Sequence, residues 1–110
     1  MIEETIRKIE QRVQASRSMR PENREDLLRL LETLKSEVEG LSRTDDEQAQ
    51  SITRFFDLSA HEATRSGKNP KLLQLSLDGL SASVDGFEKS HPKLVALVNR
   101  ICTTLSNLGV

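Results

Sequence analysis

Residues 2–38 read IEETIRKIEQRVQASRSMRPENREDLLRLLETLKSEV. Moving outward from the break at Met19–Pro21, apolar side chains fall at Val13, Ile9, Ile6 and Ile2 on one arm. On the other arm they fall at Leu27, Leu31, Leu34 and Val38. Both arms step 4, 3, 4, and the residue numbers of each facing pair add to 40. Such spacing keeps one stripe on one side of a helix. Its mirror image is what two helices folded back on each other require. A second mirror is centred on Gly67–Pro70, where Ala63, Ser59, Phe56, Ile52 and Ala49 face Leu73, Leu77, Leu80, Val84 and Phe87. Those pairs all add to 136. The pattern predicts an all-α, elongated, antiparallel coiled-coil-like bundle in a single domain.

Punctuation residues divide this bundle into four to five helices, expected at about residues 2–17, 22–39, 44–65, 70–89 and 92–108. Pro21 suits the first turn of the second helix, and Gly40 suits its end. Thr44 with Glu47 reads as a capping box, and Ser66-Gly67-Lys68-Asn69-Pro70 as a stop and restart. Across Pro92 the 3, 4 spacing keeps its phase through His91, Leu94, Val98, Ile101, Leu105 and Leu108. A kink there, with helix direction roughly kept, is therefore expected. Helices two and three, and four and five, can then merge into long kinked arms of roughly 60 Å at 1.5 Å per residue. Val38 would meet Val98 and Leu31 would meet Leu105. Helices one, two and five would close a three-stranded end, and helices three and four an under-filled, two-stranded end.

Charged residues are 30% of the 110, hydrophobic residues 35%, and there is no Trp or Tyr. That mix suits long exposed helices with a narrow apolar stripe. A net charge of −1 gives no bulk attraction to nucleic acid or anionic lipid. No apolar run reaches the ~20 residues of a membrane span, and the start lacks a signal-peptide pattern. The lone Cys102 cannot form an internal disulfide. A cytoplasmic protein without a cofactor is the expectation.

Chemical constellations are thin. Cys102 lies beside seam residues, as a small core side chain would, and Ser59, His61 and Glu62 are too close in sequence to form a triad. No enzyme is expected. Glu88-x-x-His91 has the i, i+3 spacing of carboxylate-bridged metal bundles, so a metal-binding oligomer is an alternative. Arg7, Lys8, Arg12, Arg17, Arg20 and Arg24 make another, a nucleic-acid-binding face, but interleaved glutamates and missing aromatics disfavour it. Along helix four, Ser76, Gly79, Ser83, Gly86 and Ser90 form a row of small residues. It either seats helix three or receives a partner. Phe55, off the seam register, is a candidate exposed anchor. The favoured reading is a non-enzymatic interaction or scaffolding module that self-associates, most simply as a dimer, or binds another helical protein.

The stretch Phe87-Glu88-Lys89-Ser90-His91-Pro92-Lys93-Leu94, with Leu105-Ser106-Asn107-Leu108-Gly109-Val110 at the end, resembles a family of small uncharacterised bacterial helical proteins. Those share an F-E-x-x-H-P-x-L stretch and a closing L-S-x-x-G-aliphatic. The resemblance implies a helical fold and a prokaryotic origin, marks Phe87, Glu88, His91, Pro92, Leu94 and Gly109, and carries no mechanism.

Overall fold

A computed structural model describes residues 2–108. Its elements are α1 (Ile2–Ala15), α2 (Pro21–Ser42), α3 (Asp46–Thr64), α4 (Pro70–Ala82) and α5 (Pro92–Leu108). The chain is an all-α bundle, with no strand among the described residues. Pro21 and Pro70 open α2 and α4, where a missing N–H costs nothing. Asn69 caps α4, its Oδ1 accepting from the N–H groups of Lys71 and Leu72.

Two helix boundaries differ from the sequence expectation for a local reason. Gly40 does not end α2, which runs two residues further and is closed by Arg43, whose N–H donates to Gly40 O and Leu41 O. The Thr44 hydroxyl is thereby drawn back to Leu41 O at 3.2 Å. Asp45 takes over as N-cap of α3, accepting from Gln48 N at 3.1 Å.

The first ladder is borne out: Ile2, Ile6, Ile9, Val13, Leu27, Leu31, Leu34 and Val38 are all buried, and α1 packs on α2. The second is too, from Ala49 through Val84, with Phe87 partly buried at its end.

What the ladders do not predict is how the two hairpins join. The longest dimension is 37 Å, so the expected 60 Å arms do not form. Helix four stops at Ala82, seven residues before the expected Lys89, and residues 83–91 form a run of turns. Gly86 sits there at φ +91°, a backbone state that L side chains resist. Glu88 Oε2 accepts the Gly86 N–H at 3.0 Å and fixes it. The chain then reverses instead of kinking. Cys102 Sγ lies 3.9 Å from Leu77 O, and Lys68 Nζ donates to Leu108 O at 2.8 Å. The end of α5 thus returns to the start of α4, making a third antiparallel hairpin.

This reversal replaces the three-stranded end. α1 touches α2 and α3 but not α5, and α3 alone packs against all four other helices. α3 suits that central place because its buried face is mostly small, with Ala49, Ser59, Ala60 and Ala63 around the larger Ile52 and Phe56. Small side chains let neighbouring backbones approach. Its buried hydroxyls bond within the helix, Thr53 to Ala49 O and Ser59 to Phe55 O. The predicted meeting of α2 with α5 does occur, and Val38, Val98, Leu31 and Leu105 are all buried. α1 runs parallel to α3, tied by Arg12 Nε to Asp57 Oδ1 at 2.9 Å. Arg12 also donates to His61 Nδ1 at 3.2 Å; arginine has no acceptor, so this ring nitrogen must accept.

Candidate interaction face on α3 and α4

Four large apolar side chains stay exposed among the described residues: Phe55, Leu58, Leu72 and Leu75. All of them lie on α3 and α4. Within each helix the pair is spaced i, i+3, so it sits on one side. Phe55 lies beside Gly79: a Cβ built on Gly79 would come within 2.3 Å of the Phe55 ring. That contact registers the two helices and places Leu58 and Leu75, one turn further along each, next to one another. Leu72 extends the stripe by another turn. The largest apolar patch on a monomer is often functional.

The row of small residues on helix four divides in two. Ser76 and Ser83 are buried, their hydroxyls donating to Leu73 O and Leu80 O. Gly79 lies under the Phe55 ring. This half seats helix three within the chain. Gly86 and Ser90 fall in the turns after α4, not on the helix, and are exposed. Phe55 is 37% exposed, because Gly79 takes one face of its ring. Leu58, Leu72 and Leu75 escaped the sequence reading. They carry the same signal that singled out Phe55, an apolar residue off the seam register at helical spacing.

Beside the stripe on α4 lie two exposed charges, Lys71 and Asp78, with Gln74 donating to Asp78 Oδ1 at 2.8 Å. At the end of α3, Arg65 pairs with the nearly buried Glu62 at 3.1 Å.

The model of one protein family, described as a domain of unknown function (DUF4404), matches residues 27–110. The chain belongs to that family. No curated protein and no solved structure matches it. The DUF4404 match covers α2 from Leu27 onward, all of α3 to α5 and the entire α3–α4 face, whereas α1 precedes it.

The DUF4404 match also contains the corner from Phe87 to Leu94. Glu88 and His91 do not share a helix face there, since residues 88–90 are turn and α5 starts at Pro92. Glu88 is held by Gly86 N–H, and His91 Nδ1 lies 2.9 Å from Ser90 Oγ. The His91 ring meets Phe87 edge-on at 5.6 Å. The helical premise of the metal alternative therefore fails, and no group of three potential ligands occurs among the described residues. Leu94 is buried in the core. Gly109 lies outside the described residues.

The arginines of the first hairpin are dispersed. Arg24 donates to Ser16 O and Met19 O and ties the α1–α2 connection, and Arg12 binds Asp57. Arg7, Lys8, Arg17 and Arg20 are exposed. Cys102 borders a cleft of about 290 Å³ between α4 and α5, lined also by Gln74, Asp78 and Thr103. Burial and then the nearby Asp78 charge push its thiol up to about 11, so it is not the thiolate that nucleophilic chemistry needs. Among the described residues, no helix is long and apolar enough to cross a membrane.

Proposed function

We propose that this DUF4404 protein is a non-catalytic helical interaction module that self-associates, as a dimer, through the α3–α4 face. The observation carrying this reading is that all four exposed large apolar residues gather on that face. Solvating such a stripe is unfavourable by roughly 25 cal/mol per Å², and a second copy supplies a matching stripe at no cost in specificity. The raised Cys102 pKa and the internally bonded Ser59 support a non-catalytic role. The F-E-x-x-H-P-x-L stretch is, in this reading, a structural signature: Glu88 fixes the Gly86 turn, His91 meets Phe87 edge-on, and Pro92 opens α5. A cytoplasmic setting completes the proposal, supported by the lone cysteine, and a bacterial one is what the resemblance of the Phe87–Leu94 stretch implies.

Light scattering at micromolar concentration tests it. The wild-type chain is expected to have the mass of a dimer, and Leu75→Glu the mass of a monomer with unchanged helicity. A monomeric wild type across that range would sink the proposal.

A further inference from the structure

Two Asp-Gly pairs occur in the chain, Asp78-Gly79 and Asp85-Gly86. In this dipeptide the glycine nitrogen can attack the aspartate side-chain carboxyl, because glycine has no Cβ to hinder the approach and leaves the backbone free to bring the two groups together. As sequence the pairs are equivalent; the fold separates them. Asp78 and Gly79 lie inside α4, where helix geometry holds the Gly79 N–H on the Leu75 carbonyl. The Phe55 ring closes over Gly79, and Gln74 donates to the Asp78 carboxylate at 2.8 Å. Reaction there requires α4 to open locally. Asp85 and Gly86 sit in the turns after α4, and both are exposed. Gly86 N–H donates to the exposed Glu88 side chain at 3.0 Å, a bond that rotation of that side chain releases. The space beside Gly86 is open, so nothing obstructs the approach of the Asp85 carboxyl.

We propose that Asp85 is a site of spontaneous isomerisation to isoaspartate, through a succinimide closed between Asp85 Cγ and Gly86 N, and that folding protects Asp78 from the same reaction. In the first step the Gly86 N–Cγ bond forms, and the amide hydrogen and the carboxyl hydroxyl leave together as water. In the second, water adds back to one of the two ring carbonyls and opens the ring. Addition at Cγ restores aspartate. Addition at the main-chain carbonyl of residue 85 leaves the chain running through Cβ and Cγ, with the original carbonyl carbon as a free carboxyl group. No mass is gained or lost, and nothing is oxidised or reduced. The product lengthens, by one methylene, the turn that sends α5 back along α4.

Peptide mapping of the full chain after long incubation at mildly acidic pH tests it. Both pairs fall in the tryptic peptide from Leu72 to Lys89. A second chromatographic peak of unchanged mass should accumulate. In that peak, a protease that cuts before aspartate but not before isoaspartate should cleave at residue 78 and fail at residue 85. In the folded chain residue 85 should convert at least about tenfold faster than residue 78, since α4 must open before residue 78 can react. In urea the two should convert at similar rates. Asp85→Glu, whose longer side chain closes the ring far more slowly, should remove the second peak from the folded protein. Equal conversion at both positions in the folded chain, or conversion at neither while urea reveals both, overturns the proposal.

Discussion

Gly79→Ala is expected to destabilise the wild-type chain slightly and to stabilise a chain lacking the Phe55 ring. In a helix interior alanine is favoured over glycine by about 1 kcal/mol, so an unobstructed substitution should be a gain. At Gly79 it is obstructed. The new methyl would lie 2.3 Å from Phe55 Cε1 and 2.5 Å from Cδ1, and the three atoms nearest to it all belong to that ring. The ring is 37% exposed, so the strain is relieved by moving it toward solvent. Burying a whole phenylalanine is worth roughly 1.5–3 kcal/mol, and about two-thirds of that, ~1–2 kcal/mol, is at stake here. Gly79→Ala alone should therefore cost ~0–1 kcal/mol. In a Phe55→Ala background it should gain about 1 kcal/mol, a coupling of ~1–2 kcal/mol between positions 55 and 79. Urea unfolding of the four proteins at one concentration measures it. Far-UV circular dichroism is the probe, because the chain has no Trp or Tyr. Equal stabilisation in both backgrounds would show that Phe55 does not rest on Gly79 and would remove the registration of the stripe.

Gly86→Ala should cost about 1–2 kcal/mol from backbone strain alone, since its φ is +91° and open space surrounds the added methyl. Gly40→Ala, helical and equally open, should instead raise stability by up to about 1 kcal/mol in the same unfolding assay. Arg24→Leu leaves Ser16 O and Met19 O without their charged donor and should cost about 1–3 kcal/mol, with faster amide exchange at residues 16–20. The Cys102 thiol ionises at about 11 in the folded chain, above its ordinary value near 9.0. The unfolded chain loses that proton first, so this contribution to stability is present below pH 9 and is lost as pH rises to about 11. Titrating urea midpoints of wild type and Cys102→Ala isolates it. Alkylation of native Cys102 at neutral pH should be much slower than in urea.

Much of the bundle is readable in one dimension because a helix converts sequence spacing directly into a face. The mirrored ladders name most of the buried residues of α1 to α4, though not Leu30, Leu41, Thr53, Ala60, Glu62 or Ser76, and Pro21, Asn69 and Pro70 mark helix starts because their effects are confined to one turn. The same reading extended α4 to Lys89, since the apolar phase through Val84 and Phe87 is indifferent to the φ of Gly86. Of the candidate interaction residues, Phe55 and Gly79 proved to be one contact. Ser76 and Ser83 proved to be interior, because whose backbone a small residue admits is not written in its own helix.

The sequence by itself determined an all-α chain of four to five amphipathic helical segments, the stripe each one buries and the reversal at each of the first two hairpins. Each of these follows from spacing within a few turns. Only the tertiary structure decided that α5 folds back along α4 and that α3 occupies the centre. Only it decided that Leu58, Leu72 and Leu75 remain uncovered beside Phe55. Those outcomes depend on how helices distant in sequence compete for the same apolar faces. A turn as short as residues 83–91 settles that competition by sending the last helix one way or the other.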